Sequence, residues 1–122
     1  MAAMDSLPLA ASNSDPVPAA AAARFFRVLG DPTRLAILEL LLAGPRTVSE
    51  LTAAAGAPRA RVSNHLACLR WCGFAEAERR GRQVIYRAAD PGLAGLLDAA
   101  RPLIAGRADH LASCRRIGPD WI

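Results

Sequence analysis

The sequence predicts a mainly α-helical domain that carries one small β-hairpin. Three observations support this fold class. Apolar residues recur at helical spacing through most of the chain, three segments begin with helix-capping patterns, and one stretch near residue 80 alternates as a strand pair does. With 122 residues, 52% hydrophobic and 5% aromatic, the chain suffices for one domain with a modest aliphatic core.

Four helices are predicted ahead of the hairpin, at residues 19–29, 33–43, 48–55 and 58–71. Asp31 is expected to cap the second helix, with Pro32 at its first position. Thr47 is expected to cap the third helix, and Glu50 stands three residues later, as a capping box requires. The third and fourth helices are separated only by a tight turn at Gly56, which is the spacing of a helix-turn-helix.

Two short strands are predicted at residues 75–80 and 83–88, joined by a turn at Gly81 and Arg82. This hairpin follows the predicted helix-turn-helix directly, so the sequence indicates a winged helix-turn-helix. In that fold the second helix of the motif enters the major groove of double-stranded DNA, and the wing contacts the backbone or the minor groove.

A last helix is predicted from Asp90 and Pro91 to about Ser113, and Pro102 is expected to kink or divide it. The ends of the chain differ from the domain in composition. Residues 1–17 are rich in Ala, Ser and Pro, which predicts a disordered arm, residues 18–113 form the winged domain, and residues 114–122 form a tail.

Charge and composition limit the functional classes. The net charge is +4, and all 15 basic residues are arginines, which suits nucleic acid but is equally explained by a GC-rich genome. The sequence contains neither a long uncharged apolar run nor a secretory signal pattern, so we expect a cytoplasmic protein without a membrane partner. Three cysteines, an odd number, fit poorly with a disulfide framework.

Polar side chains at the start of the fourth helix and at the wing are the predicted DNA contacts. Serine and asparagine can read base edges, and arginine can hold phosphate or guanine. Any one of these arginines could equally be a solvated charge, whereas the set beside a helix-turn-helix favours DNA. The predicted DNA-binding residues are Arg59, Arg61, Ser63, Asn64, His65, Arg80, Arg82 and Gln83.

Four stretches resemble the ArsR/SmtB family of metal-responsive repressors. They are Leu-Gly-Asp-Pro-Thr-Arg at 29–34, Val-Ser-Asn-His-Leu-Ala-Cys-Leu-Arg at 62–70, Gly-Phe at 73–74 and Gly-Arg-Gln-Val-Ile-Tyr at 81–86. The resemblance implies a winged-helix homodimer in which the first and last helices form the subunit interface. It also implies a repressor, not an enzyme, that binds operator DNA when metal-free and releases it when metal binds.

Within the family, the sequence is similar to cadmium- and lead-sensing members. These place two cysteines in the recognition helix and a third near the C-terminus, as Cys68, Cys72 and Cys114 stand here. Two other metal sites of the family lack their residues in this chain. The third helix carries no thiol at residues 47–51, and the last helix has no Asp-x-His pair at Asp98.

Helix periodicity separates Cys68 and Cys72 from the apolar stripe of the fourth helix, since they lie about 130° and 90° from its centre. Residues four apart have Cβ atoms about 5–6 Å apart, so two thiolates can converge on one ion. A third ligand is needed, and Cys114 of either protomer is the natural candidate. His65 lies on the same stripe and is a rival ligand, although a polar or packing role is favoured.

Thiolate sites select soft ions, so the expected effector is Cd(II) or Pb(II), with Hg(II), As(III) and Zn(II) as alternatives. A thiol-based redox or persulfide sensor of the same fold is a second hypothesis, which requires two thiols close enough to react without metal. An enzyme is not expected, because the sequence shows no convincing nucleophile with a positioned base.

Overall fold

The computed structural model describes residues 15–114, so most of the predicted arm and tail lies outside the described residues. The chain divides into two compact units, and the boundary between them falls between Ala89 and Asp90. The first unit contains α1 (Ala19–Val28), α2 (Pro32–Ala43), β1 (Arg46–Thr47), α3 (Val48–Ala55), α4 (Arg59–Trp71), β2 (Ala75–Arg80) and β3 (Gln83–Ala88). The second contains α5 (Gly92–Ala105) and α6 (Ala108–Ala112).

The predicted helix starts are confirmed at their capping residues. The Asp31 carboxylate accepts a hydrogen bond from the Arg34 backbone N–H at 2.9 Å. The Thr47 hydroxyl accepts from the Glu50 backbone N–H at 3.2 Å, and the Glu50 carboxylate accepts from the Thr47 N–H at 2.8 Å. Such caps satisfy N–H groups that the first helical turn leaves free, and each contributes about 1 kcal/mol. Local chemistry therefore sets where α2 and α3 begin.

The hairpin has the predicted bounds and gains a third strand that the sequence did not indicate. Gln83 pairs with Arg80 across a turn whose Gly81 has a φ of 60°, in the left-handed region that glycine adopts without strain. The unpredicted β1 pairs antiparallel with β3, Thr47 opposite Ile85, giving the strand order β1–β3–β2. A strand of two residues is too short to show an alternating pattern in the sequence.

The core of the first unit lies where α2, α3 and α4 meet the sheet. Phe74, which follows α4, stacks on Phe25 of α1 with ring centroids 5.0 Å apart. Burial of each large aliphatic side chain stabilises the fold by roughly 1.5–3 kcal/mol. The apolar stripe of α4 is thereby committed to the core, which leaves its other faces for contacts. The buried residues of this unit are Ile37, Leu38, Leu41, Leu51, Val62, Leu66, Leu69, Phe74 and Ala75.

The second unit corrects two details of the prediction. The Asp90 carboxylate accepts from the Gly92 N–H at 2.8 Å, and α5 begins at Gly92 instead of Pro91. Pro102 lies inside α5 and does not divide it; the helix continues to Ala105 and ends at Gly106. The missing N–H of a proline removes one hydrogen bond, while the Pro102 carbonyl still accepts from the Gly106 N–H at 3.2 Å. Along residues 15–114, no helix is long and apolar enough to cross a membrane.

Candidate functional site

The outward face of α4 carries the side chains predicted to read DNA. Val62 and Leu66 of this helix are buried in the core, whereas the neighbouring side chains of Arg61, Ser63 and Asn64 are exposed. The Ser63 hydroxyl and the Asn64 amide can therefore meet base edges in a groove. Arg59 is also exposed, and its guanidinium donates to the Ser49 hydroxyl at 3.1 Å, which joins the start of α4 to α3.

The tip of the wing is polar and exposed. Arg82 lies in the turn, with Gln83 beside it, and both are exposed. Arg80 is exposed as well, but its guanidinium lies 3.4 Å from the Glu78 carboxylate, which also pairs with Arg87 at 2.9 Å. Exposed ion pairs of this kind contribute little stability, so Arg80 can exchange Glu78 for phosphate at small cost. Of these two arginines, Arg82 is the one that can bind phosphate without first leaving an ion pair with Glu78.

His65 faces inward, toward the start of α2, and only 15% of its side chain is exposed. Its Nε2 lies 3.5 Å from the Asp31 carboxylate, and its Nδ1 lies 3.4 Å from an Arg34 guanidinium nitrogen. Because a guanidinium only donates, Nδ1 must accept and Nε2 must carry the proton that faces Asp31. The His65 ring thus packs between helices and is hydrogen-bonded there. That His65 contacts DNA, or that it is a metal ligand, stays a prediction.

Asp31, Arg34 and His65 form a cluster, here called the interhelix cluster, whose first two members the sequence prediction missed as site residues. Arg34 also donates to the carbonyls of Arg27 and Val28 in the last turn of α1. The Arg34 backbone N–H lowers the pKa of Asp31, against partial burial, which raises it, and the Arg34 guanidinium lowers it further. One guanidinium therefore contacts α1 and α4 while belonging to α2.

Cys68 and Cys72 bring their thiols together at the C-terminal end of α4. Cys68 is half-buried in the last turn, whereas Cys72 is exposed and follows Trp71, the last helical residue, instead of lying inside the helix as the family resemblance implies. The Cys72 N–H donates to the Cys68 carbonyl at 2.9 Å, which preserves the stacking of residues four apart. The Cys68 thiol is close enough to Cys72 to raise its pKa.

The surroundings of Cys72 disfavour its thiolate form. Burial, and then the adjacent Cys68 thiol, raise the pKa of Cys72, while the Arg34 guanidinium lowers it. Two soft donors one helical turn apart suit a thiophilic ion, but two donors leave its coordination incomplete. Within residues 15–114, no three His, Cys, Asp or Glu side chains are grouped closely enough to hold a metal ion.

Cys114, the predicted third ligand, belongs to the second unit. It follows α6 and is half-buried, with its backbone N–H donating to the Leu111 carbonyl at 3.3 Å. Its participation in a thiolate site stays a prediction.

Comparisons with known proteins agree on one class of regulator. Residues 31–77 match the bacterial regulatory proteins of the arsR family. The chain is 47% identical over 95 residues to a probable mercury resistance operon repressor of Streptomyces lividans, covering 78% of this chain and 76% of that protein. It is 45% identical over 98 residues to the HTH-type transcriptional regulator CmtR of Mycobacterium tuberculosis, covering 72% of this chain and 83% of CmtR.

Two solved structures extend the comparison. The NMR structure of CmtR, described as a cadmium metal-sensor, is similar with a TM-score of 0.55 and 49% identity, covering 63% of this chain and 80% of that one. The homodimeric winged helix-turn-helix DNA-binding domain of a possible ArsR-family transcriptional regulator from Mycobacterium bovis gives a TM-score of 0.64 at 29% identity. That match covers 81% of this chain and 95% of the other. The winged helix-turn-helix predicted from the sequence is thus confirmed.

Proposed function

Because the chain belongs to the ArsR family of bacterial regulatory proteins, we propose that it is a repressor that binds operator DNA as a metal-free homodimer and releases it when cysteine thiolates bind a soft metal ion. The observation that carries the metal-sensing part is the position of Cys68 and Cys72, which lie one helical turn apart at the C-terminal end of α4, the DNA-reading helix. Cd(II) and Pb(II) are the expected ions, and the name of the Streptomyces relative supports testing Hg(II) beside them.

DNA binding is supported by the arrangement of exposed polar groups. Ser63 and Asn64 project from α4, whose opposite side is packed in the core, so a rigid helix presents them. Arg82 at the wing can contact the phosphate backbone, and the net charge of +4 favours association with a polyanion. We propose phosphate contacts for the arginines and base contacts for the serine and asparagine.

Dimerisation is supported by large apolar side chains left exposed on α1 and α5. Phe26 of α1 is 56% exposed, and Leu103 and Ile104 of α5 are 61% and 53% exposed. Exposed apolar groups on adjacent positions commonly mark a protein interface. We therefore propose that these helices form the subunit contact, as they are expected to do in this family.

The donor set fits a soft ion. Cys68 and Cys72 supply two sulfurs, and we propose that Cys114, from the same or the partner protomer, supplies the third. A bound soft ion would supply the bonds that hold these thiolates together. Three thiolates bound to a divalent ion leave a net charge of about −1 on the DNA-reading helix. This negative charge would repel the phosphates of the operator DNA. A coupling of about 1–3 kcal/mol, or 5–150-fold in operator affinity, suffices for regulation.

The test uses reduced, metal-free protein and a duplex that this protein itself selects from a random pool. Binding is followed by fluorescence anisotropy during addition of Cd(II), Pb(II) or Hg(II). We expect release by at least one ion, and we expect Cys68→Ser and Cys72→Ser to bind the duplex normally but to lose release. Ala67→Ser, an exposed position on the same helix, is the matched control.

Release that persists in Cys68→Ser would contradict the thiolate proposal. Release by peroxide or polysulfide without metal, with a matching mass change at the thiols, would favour the redox or persulfide sensor of the same fold instead. Failure of the metal-free protein to select any duplex would contradict the proposal that the chain is a DNA-binding repressor.

A further inference from the structure

Two exposed side chains in the last turn of α4 are not used by the proposed function. Arg70 is exposed, and Trp71 is 63% exposed, although an indole ring is usually packed. They follow Ser63 and Asn64, the proposed base contacts, at an interval of seven residues. Seven residues of an α-helix make two turns to within about 20°, so each residue of the second pair points in nearly the same direction as its counterpart in the first.

The backbone that carries Arg70 and Trp71 is held in place by its neighbours. Leu69 is fully buried, and its carbonyl accepts a hydrogen bond from the Phe74 N–H at 2.8 Å. The Gly73 N–H donates to the Arg70 carbonyl at 3.2 Å, which satisfies a carbonyl that the end of a helix leaves free. The direction of the two exposed side chains therefore follows that of the helix.

The charge on α4 indicates the kind of partner that this surface fits. The helix contains three arginines, Arg59, Arg61 and Arg70, and no carboxylate, and all three are exposed. A surface of one sign favours a partner of the opposite sign, and double-stranded DNA carries one negative charge per about 1.7 Å of its axis. The same face of a second copy would bring like charges together. Duplex DNA is therefore the partner that the charges favour.

The distance along the helix favours the DNA backbone over the bases for this second pair. At about 1.5 Å per residue, Trp71 lies about 10 Å beyond Asn64 along the helix axis. A recognition helix reads base edges with its N-terminal residues, in a major groove about 12 Å wide. A residue two turns further on is expected at the wall of the groove, which consists of sugars and phosphates.

We propose that Arg70 and Trp71 bind the sugar–phosphate backbone at the edge of the major groove, as a second contact of α4 with duplex DNA. The Arg70 guanidinium binds a phosphate, and the Trp71 ring packs on a deoxyribose. The contact is independent of base sequence and is made by the metal-free protein. This inference rests on the proposed function, because it assigns both residues to the DNA complex of the repressor.

Duplex affinity and its salt dependence separate the two side chains. Binding of metal-free protein to the selected duplex and to a scrambled one is followed by fluorescence anisotropy of the labelled DNA. Arg70→Gln should weaken binding to both duplexes alike and reduce the salt slope by about 1, because one phosphate contact is lost. Trp71→Ala should weaken both about tenfold and leave the slope unchanged, since no charge is removed, whereas Trp71→Phe keeps a ring and should stay within about threefold.

Two matched controls make the same kinds of change elsewhere. Arg24→Gln removes the charge of an exposed arginine of α1, and Val17→Ala truncates an apolar side chain that is 68% exposed. Both should bind the two duplexes as the unaltered protein does.

Tryptophan fluorescence measures the contact of the ring directly. The chain has two tryptophans, so Trp121→Phe leaves Trp71 as the single reporter. Acrylamide should quench Trp71 strongly in the free protein, because the side chain is 63% exposed, and the quenching constant should fall several-fold when the selected duplex is added. Without DNA, the constant should stay the same over a range of protein concentrations.

The outcomes distinguish this inference from the proposed function. If the metal-free protein binds no duplex, the proposed function fails, and this inference fails with it. If it binds but the duplex leaves Trp71 as open to acrylamide as before, only the backbone contact is refuted. Protection of Trp71 by protein concentration alone would assign the ring to a second copy, and a loss of affinity confined to the selected duplex would assign the pair to base reading; either result overturns the inference. The acrylamide result decides the matter if Trp71→Ala fails to fold by circular dichroism.

Discussion

Proton release on metal binding tests the thiolate site most directly. Burial and the Cys68 thiol raise the pKa of Cys72, so this residue is a protonated thiol at neutral pH. A thiol must lose its proton to become a metal ligand, and the proton appears in solution. The number of protons released per bound ion therefore counts the thiols that enter the site.

The expected numbers follow from the donor set. Below the thiol pKa values, a site made of Cys68, Cys72 and Cys114 should release about three protons per Cd(II), and Cys114→Ser should release about two. The apparent Cd(II) affinity should correspondingly rise about a thousandfold per pH unit in the unaltered protein and about a hundredfold in the variant. Affinity rises with pH because the protons compete with the ion for sulfur.

The assay is a pH-stat titration of reduced protein under nitrogen with Cd(II) in a chloride-free, weakly buffered solution near pH 6.5. Calorimetry in two buffers of different ionisation enthalpy gives the same proton number independently. Equal proton release by the unaltered protein and Cys72→Ser would refute the reasoning about the pair. A release of two protons that Cys114→Ser leaves unchanged would retain the pair and remove Cys114 from the site.

Three further predictions concern the fold and the DNA interface. Leu69→Ala, at a fully buried position of α4, should lower the free energy of unfolding in urea by about 2–5 kcal/mol, while Arg70→Ala on its exposed side should change it by less than about 0.5 kcal/mol. Because the pKa of Asp31 is lowered in the folded protein, its carboxylate stabilises the fold at any pH above the pKa of the unfolded chain. The unaltered protein should therefore be more stable than Asp31→Asn near neutral pH, and this difference should disappear as the pH falls through the folded-state pKa of Asp31. A difference between the urea midpoints of the two proteins that stays constant with pH would contradict this. Arg82→Ala should weaken binding to all duplexes alike and reduce the salt slope of binding by about 1, whereas a loss confined to one sequence would indicate base reading.

Sequence reasoning succeeded where the cause of a structure is local. The capping residues Asp31 and Thr47 act within three positions of themselves, and the turn at Gly81 needs only the residues beside it. The predicted bounds of α1 to α4 agree with the structure to within one residue, and the hairpin agrees completely. The stacking of Cys72 one turn beyond Cys68 is of the same kind, since residues four apart on a helix are neighbours.

Tertiary structure decided what depends on residues distant in the chain. The pairing of Thr47 with Ile85 creates β1, although two residues have no periodicity of their own. Arg34 and His65 stand 31 positions apart, and only the packing of α2 against α4 brings the guanidinium to the ring. Helix periodicity shows which face a residue occupies but not what the neighbouring element offers it. The sequence therefore left the direction of His65 open, and only the packing of α4 against the start of α2 places its ring beside Asp31 and Arg34.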